Sequence, residues 1–172
     1  MKLEEIWNIN KVEQDIRAAF AENSETKLLA LLKDNSFLFY ELFSRKMGVQ
    51  PVFCEVNFGG SLRCDFAWLN DNSDGPEWVL VEVEKPKMRL FNKDAKPSSE
   101  LNKAIEQVKS WQRYFAENPQ DKKSVFGAVA RFRYILICGD TKEWKEENAA
   151  KWRVYENGTN NIEIKSSDVF CR

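Results

Sequence analysis

Three carboxylates occupy positions where a carboxylate is costly. Asp65 lies in the apolar run Cys64-Asp65-Phe66, and Glu82 and Glu84 lie in Val81-Glu82-Val83-Glu84. An ionised group inside a buried strand costs free energy unless it is paired or bound to metal. Side chains alternate across a strand, so Glu82 and Glu84 share a face with Trp78 and Leu80, and Val79, Val81 and Val83 face the other way. If the strands carrying Asp65 and Glu82 are neighbours, their carboxylates converge. Two or three convergent oxygen ligands suit Mg2+ or Mn2+. Such a cation orients and deprotonates water and offsets charge on a scissile phosphate. The plainer alternative is that all three acids face solvent at a sheet end, and spacing alone does not separate the two.

Composition removes several competing chemistries. The chain has no His, which excludes His-dependent acid–base catalysis, catalytic triads and Cys–His proteolysis. The four Cys (Cys54, Cys64, Cys138 and Cys171) contain no Cys-x-x-Cys pair. A structural zinc site would need all four to converge. Cys54, Cys64 and Cys138 lie in apolar runs and read as buried, reduced thiols of a cytosolic protein. The net charge of −1 argues against non-specific duplex binding by a basic excess, though a carboxylate cluster for Mg2+ needs local negative charge. The start, MKLEEIWNIN, lacks the apolar core of a signal peptide, and no apolar run is long enough to span a membrane. A cytoplasmic location is expected.

The elements that must position these acids follow from periodicity. Val12, Ile16, Ala19 and Phe20 recur at helical spacing, as do Leu28, Leu29, Leu31 and Leu32, with Ser24 as N-cap between them. Ser36 is placed to cap a third helix over 37–47, stopped by Gly48. The period then changes. Runs 52–58 and 62–69, separated by Gly59-Gly60-Ser61, read as a β-hairpin. A polar loop over 70–76 leads to a third, nearly continuous apolar strand, 78–84, which suits a central place in a sheet. A basic loop with Lys85, Lys87, Arg89, Lys93 and Lys96 precedes a helix over 100–117. That helix is capped by Ser98 or Ser99 and has the stripe Leu101, Ala104, Ile105, Val108, Trp111 and Phe115. Residues 118–123 read as loop, 134–138 as a buried strand, 141–155 as a charged helix, Asn157-Gly158 as a turn and 162–165 as a last strand. The order gives an α/β sandwich with a mixed sheet of about five strands flanked by helices. The length of 172 residues suits one domain, with helices over 1–48 and an α/β core over 49–172.

A resemblance adds to this reading. The run Trp78-Val-Leu-Val-Glu-Val-Glu-Lys-Pro86, then Leu90-Phe91-Asn-Lys, then Pro97-Ser-Ser-Glu-Leu-Asn-Lys-Ala-Ile-Glu-Gln-Val-Lys-Ser-Trp111, is similar to the nuclease domain of Shedu-type anti-phage defence proteins. Asp65, the Glu-x-Glu strand and the Gln-bearing helix resemble a PD-(D/E)XK nuclease core. The likeness implies a restriction-endonuclease-like fold with an N-terminal helical segment. It also implies metal-dependent hydrolysis of phosphodiester bonds in nucleic acid, DNA first, with self-association left open.

Carried over, the resemblance assigns Asp65 and Glu82 as metal ligands and Gln107 as the helical Gln that approaches the site. Glu41 is an extra helical ligand or a solvated residue. The chain departs from the motif where Lys is expected two residues after the ligand Glu: Glu84 stands there. Glu84 then serves as a further ligand, and Lys85 first or Lys103 second supplies the cation. The second reading is a nuclease-fold module without activity, acting as a sensor or protein-interaction domain.

Overall fold

Two side-chain caps fold the start of the chain back on itself. A computed structural model describes residues 7–171, and the acidic start, residues 1–6, lies outside them. Helix α1 (Ile9–Ala21) begins at Asn8, whose side chain accepts the Asn10 N–H, and buries Val12, Ile16 and Ala19. Helix α2 (Glu25–Asp34) begins at Ser24, whose hydroxyl accepts the Lys27 N–H, and buries Leu28 and Leu32. The expected third α-helix over 37–47 is instead a 3-10 helix, Ser36–Leu42, followed by extended backbone at Phe43. Side chains three apart eclipse in a 3-10 helix, which points Phe39 and Leu42 into the core together. Phe39 packs against Phe66, Trp68 and Phe170, and the extended Phe43 meets Trp68 edge-on.

The sheet has five strands in the order β1-β2-β3-β4-β5: β1 (Phe53–Gly59), β2 (Leu62–Asn72), β3 (Gly75–Val83), β4 (Arg131–Ile137) and β5 (Ile162–Lys165). The first two pairings are antiparallel and the last two parallel, and β3 is the central strand, between β2 and β4. The polar loop expected over 70–76 is mostly strand: pairing continues to Asn72↔Gly75, and the Asn72 side chain accepts the Asp74 N–H at 3.1 Å within the tight turn.

Helix α3 (Ser99–Glu117), capped by Ser98, buries the six-residue stripe read from the sequence. Residues expected as loop after it form α4 (Pro119–Phe126), started by a proline at a position that needs no N–H. Phe126 then packs against Phe58, Trp78, Phe115 and Phe132. The single helix expected over 141–155 is broken into α5 (Thr141–Trp144) and α6 (Glu147–Asn160). Trp144 is drawn inward at the break, donating to the Cys138 carbonyl at 2.7 Å and stacking on Trp152. Asn157-Gly158, expected as a turn, continues α6, and Asn161 ends it in the left-handed conformation.

Helices α1, α2 and the 3-10 helix cover one face of the sheet over Phe66, Trp68, Val79, Val81, Val83, Ile135 and Ile137. Helices α3 to α6 cover the other over Cys64, Ala67, Leu80, Tyr134 and Leu136. Cys64 and Cys138 are buried, whereas Cys54, expected buried, is exposed because it lies on the edge strand β1. Among the described residues no helix is long and apolar enough to cross a membrane.

Candidate active site

The candidate site forms where the sheet splits. Pairing between β2 and β3 ends at Phe66↔Val81, while β3 stays paired with β4 to Val83↔Ile137. Beyond the last pair, Asp65 Oδ2 takes the Val83 N–H at 2.9 Å, so a side chain replaces the missing main-chain partner. The β1–β2 hairpin turns away here, and the facing of its residues shows how. Cys64 packs on the α3 side with Ala67 and Leu80, and Phe66 packs on the opposite side. Regular alternation would put Cys64 and Phe66 together. β1 breaks step at the same level, since the Phe53 ring meets Trp78 and Val56 packs with Trp78 on the α3-side core. Between them Glu55, which like Asp65 falls between the pairs Cys54↔Phe66 and Val56↔Cys64, has φ of 50°. The hairpin end then docks on α3 through Gly59, where a Cβ would overlap the Tyr114 hydroxyl.

Glu82 sits in the split with 8% of its surface exposed. Its Oε1 accepts a hydrogen bond from Gln107 Nε2 on α3. Its Oε2 is buried without a hydrogen-bond partner. Burial pushes the Glu82 carboxyl well above the ordinary carboxylate range, and the Asp65 and Glu84 charges push it further. Burial likewise raises Asp65, against the lowering effect of the Val83 N–H. Glu84, two residues on and on the same face, is pushed up to about 7, chiefly by burial, with the charges of Glu25 and Asp65 adding to it.

Two helices wall the split. On α3, Glu100, Lys103 and Gln107 follow at three- and four-residue steps and so form one flank. Glu100 acts on Glu84 and Gln107 bonds Glu82, which sets the exposed Lys103 between them on the same flank. On α2, Glu25, Leu29 and Lys33 form the facing row, and the charges of Glu25 and Lys33 both reach Asp65. The start of α2 is fastened beside the end of β3. Asn23 Oδ1 accepts the Lys87 N–H at 2.8 Å, and Asn23 Nδ2 donates to the Lys87 carbonyl at 3.3 Å.

The basic loop after β3 is ordered by its own contacts. Met88 and Leu90 are buried, Leu90 N–H donates to Glu143 Oε1 at 2.8 Å, and Ser98 Oγ donates to the Arg89 carbonyl at 2.6 Å. Lys85, Lys87, Arg89, Lys93 and Lys96 remain exposed along it.

Of the residues singled out in the sequence, Asp65, Glu82, Glu84 and Gln107 are brought together. Lys85 is exposed and its charge acts on Glu84. Glu41 is not part of the group: it lines a cavity with Leu42, Phe43, Glu77, Arg131, Arg133 and Glu163. The reason is the shortened 3-10 helix, which turns this segment toward the start of β4. The helical acid whose charge does reach the carboxylates is Glu25. Sequence reasoning missed Glu25 and Lys33. Glu25 is the first residue after an N-cap, an ordinary place for an acid. The only signal for the pair is their shared spacing with Leu29 beside the buried stripe Leu28 and Leu32. Among the described residues, no three His, Cys, Asp or Glu side chains are already drawn together as a metal-binding group.

The mixed five-stranded sheet with helices on both faces is a restriction-endonuclease-like fold. It is similar to restriction endonuclease FokI bound to DNA, with TM-score 0.54 and 16% identity over 99% of this chain. It is also similar to FokI alone, with TM-score 0.51 and 16% identity over 99% of this chain. The chain spans 27% and 28% of the length of those FokI chains. Residues 22–170 match the family Shedu protein SduA, C-terminal, and the chain belongs to that family. No curated protein matches it.

Proposed function

We propose that this chain is a divalent-metal-dependent nuclease domain that hydrolyses phosphodiester bonds in DNA, in the setting of anti-phage defence. The observation that carries the reading is Glu82, a buried strand carboxylate with one oxygen held by Gln107 and the other unpartnered, beside Asp65 at a split in the sheet. A buried acid without a counter-charge is expensive unless something absent from the bare chain completes it. The donors are all oxygens, which suits a hard cation. Mg2+ is commonly held by one or two carboxylates, with waters and substrate phosphate filling the rest, so a two-acid site fits it. Asp65 and Glu82 would hold Mg2+ or Mn2+, with Glu84 in reserve. Bound there, such a cation supplies Lewis acidity to a water and to a phosphate oxygen.

The protein groups divide the remaining work. Gln107 holds Oε1 of the Glu82 carboxylate and leaves the buried Oε2 without a hydrogen bond. Glu84, ionising near neutrality, accepts the proton of the attacking water. Lys85, with Lys103 second, offsets the charge on the phosphate in place of the motif Lys. The exposed cations of the basic loop contact the backbone without reading sequence. The family and the DNA-bound FokI neighbour favour DNA as substrate.

The test is cleavage of plasmid, linear duplex and single-stranded DNA, and of RNA, with Mg2+, with Mn2+ and with EDTA. Cleavage of DNA should require the metal and disappear in Asp65→Ala and Glu82→Ala. Undiminished cleavage in both variants, or in EDTA, would sink the proposal. Absence of both cleavage and Mg2+ or Mn2+ binding by calorimetry would favour the inactive-module reading.

A further inference from the structure

At the level of the kink, one carboxylate lies between two cations from different elements. Lys33 Nζ of α2 is 3.0 Å from Glu55 Oε2, and Arg63 Nη1 of β2 is 3.7 Å from Glu55 Oε1. Each oxygen of one acid thus faces its own cation, as two oxygens of a phosphodiester would. The three side chains are 36%, 51% and 64% exposed for Lys33, Glu55 and Arg63, so a ligand reaches them from solvent. Ion pairs this exposed are weak and exchange readily.

The position of this group ties it to the candidate site. Arg63 is two residues before Asp65, and its charge acts on both Asp65 and Glu82, while that of Lys33 acts on Asp65. Glu55 and Asp65 both fall between the β1–β2 pairs Cys54↔Phe66 and Val56↔Cys64. It also adopts φ of 50°, a conformation a non-glycine residue in a strand rarely takes. That conformation goes with the side chain being held between Lys33 and Arg63.

We propose that Lys33 and Arg63 form a phosphate-binding slot for the nucleic-acid backbone, and that Glu55 is a built-in competitor occupying the slot until substrate displaces it. The proposal rests on the nuclease reading and deepens it. Glu55 lowers resting affinity for anions, so substrate enters only where several phosphates engage together.

Binding of a short fluorescein-labelled DNA duplex is measured in EDTA as a function of salt. Glu55→Gln should tighten binding by about three- to tenfold, the range of an exposed ion pair plus one removed repulsion. Glu147→Gln, which removes an exposed acid paired with Lys151 on α6, should change it far less. Lys33→Ala and Arg63→Ala should each weaken binding and lower the salt slope by about one. In the Lys33→Ala/Arg63→Ala background, Glu55→Gln should no longer tighten binding. Glu55→Asn, a residue at ease with positive φ, should behave as Glu55→Gln, and it serves if the Gln variant fails to fold.

A gain in Glu55→Gln no larger than in Glu147→Gln, or one that survives loss of both cations, would overturn the proposal while leaving metal-dependent cleavage standing. A wild-type protein that neither binds nor cleaves DNA overturns both. Inorganic phosphate is the remaining probe: if it binds Glu55→Gln by calorimetry while the duplex gains nothing, the slot serves free phosphate and the nucleic-acid assignment is lost.

Discussion

Glu77 and Glu82 lie five positions apart on β3 and are equally buried, each 8% exposed, yet their surroundings are opposite. Glu77 accepts a hydrogen bond from Asn70 Nδ2 at 3.0 Å and pairs with Arg131. Burial alone would raise its carboxyl, but these partners hold it below the ordinary range. Glu163 on β5 is treated likewise by Arg133, whose two bonds to it include one of 2.9 Å. Glu82 is bonded only by a neutral amide and faces the charges of three acids, Asp65, Glu84 and Glu25, against which only Arg63 acts, and it is raised. The difference teaches that burial of an acid does not mark a site. What marks it is burial with no cation bonded to the acid, at a place where the sheet opens.

The sharpest way to break this comparison is to remove each acid and read a different property. Glu82→Ala should reduce metal-dependent cleavage by more than about a hundredfold, beyond the 10–100-fold typical of losing an outer partner of a metal site. Glu77→Ala should leave the cleavage chemistry intact. It should instead cost about 1–3 kcal/mol by removing the acceptor shared by Asn70 and Arg131, read as a fall in melting temperature of about 2–4 °C per kcal/mol. If Glu77→Ala abolishes cleavage in a folded protein, the two ends of β3 are not functionally distinct.

The next test uses stability without metal. Glu82→Gln should raise the melting temperature in EDTA at alkaline pH, because it removes an uncompensated buried charge. A fall instead would mean that Glu82 is already balanced by the protein.

pH sharpens the same contrast. Asp65, Glu82 and Glu84 have folded-state pKa values above their unfolded ones, so the folded protein retains protons that the unfolded chain gives up from about pH 4 upward. Stability in EDTA should therefore fall as pH rises through about 7, where Glu84 ionises, and continue to fall toward the higher value of Glu82. Saturating Mg2+ should recover most of the loss, since a cation takes the place of the protons. Glu77 and Glu163 work in the other direction. Their lowered values add stability above the ordinary carboxylate range that is lost only in acid. Melting curves across pH, with and without Mg2+, check both limbs, and a flat alkaline limb in EDTA would contradict the account of Glu82.

The smallest expected effect is at Gln107. Gln107→Leu removes the one hydrogen bond to Glu82 and should lower cleavage by about tenfold, as for an outer partner of a ligand. An unchanged rate would reduce Gln107 to a packing residue.

How much was legible in the sequence differs by element. The apolar stripe of α3, the Ser24 and Ser98 caps and the core of all five strands follow local rules, and they appear where periodicity puts them. The convergence of Asp65 with Glu82 follows from one further assumption, that β2 and β3 are neighbours. The failures have tertiary causes. The 3-10 helix follows from the demand to bury Phe39, Leu42 and Phe43 together, and the break at Trp144 from an indole reaching the Cys138 carbonyl. Glu25 and Lys33 enter the site because Asn23 fastens α2 to Lys87, a contact 64 residues apart that no local pattern announces.

The kink at Glu55 has an effect outside the site. β1 is an edge strand with exposed Phe53 and Cys54, the kind of border to which a stray strand adds itself. A positive φ in its middle interrupts the outward row of amides and carbonyls, and the charged cluster around Glu55 stands beside the gap. An incoming chain finds only a short stretch to zip onto. The same distortion that turns the hairpin away from β3 protects the molecule against aggregation along its open border.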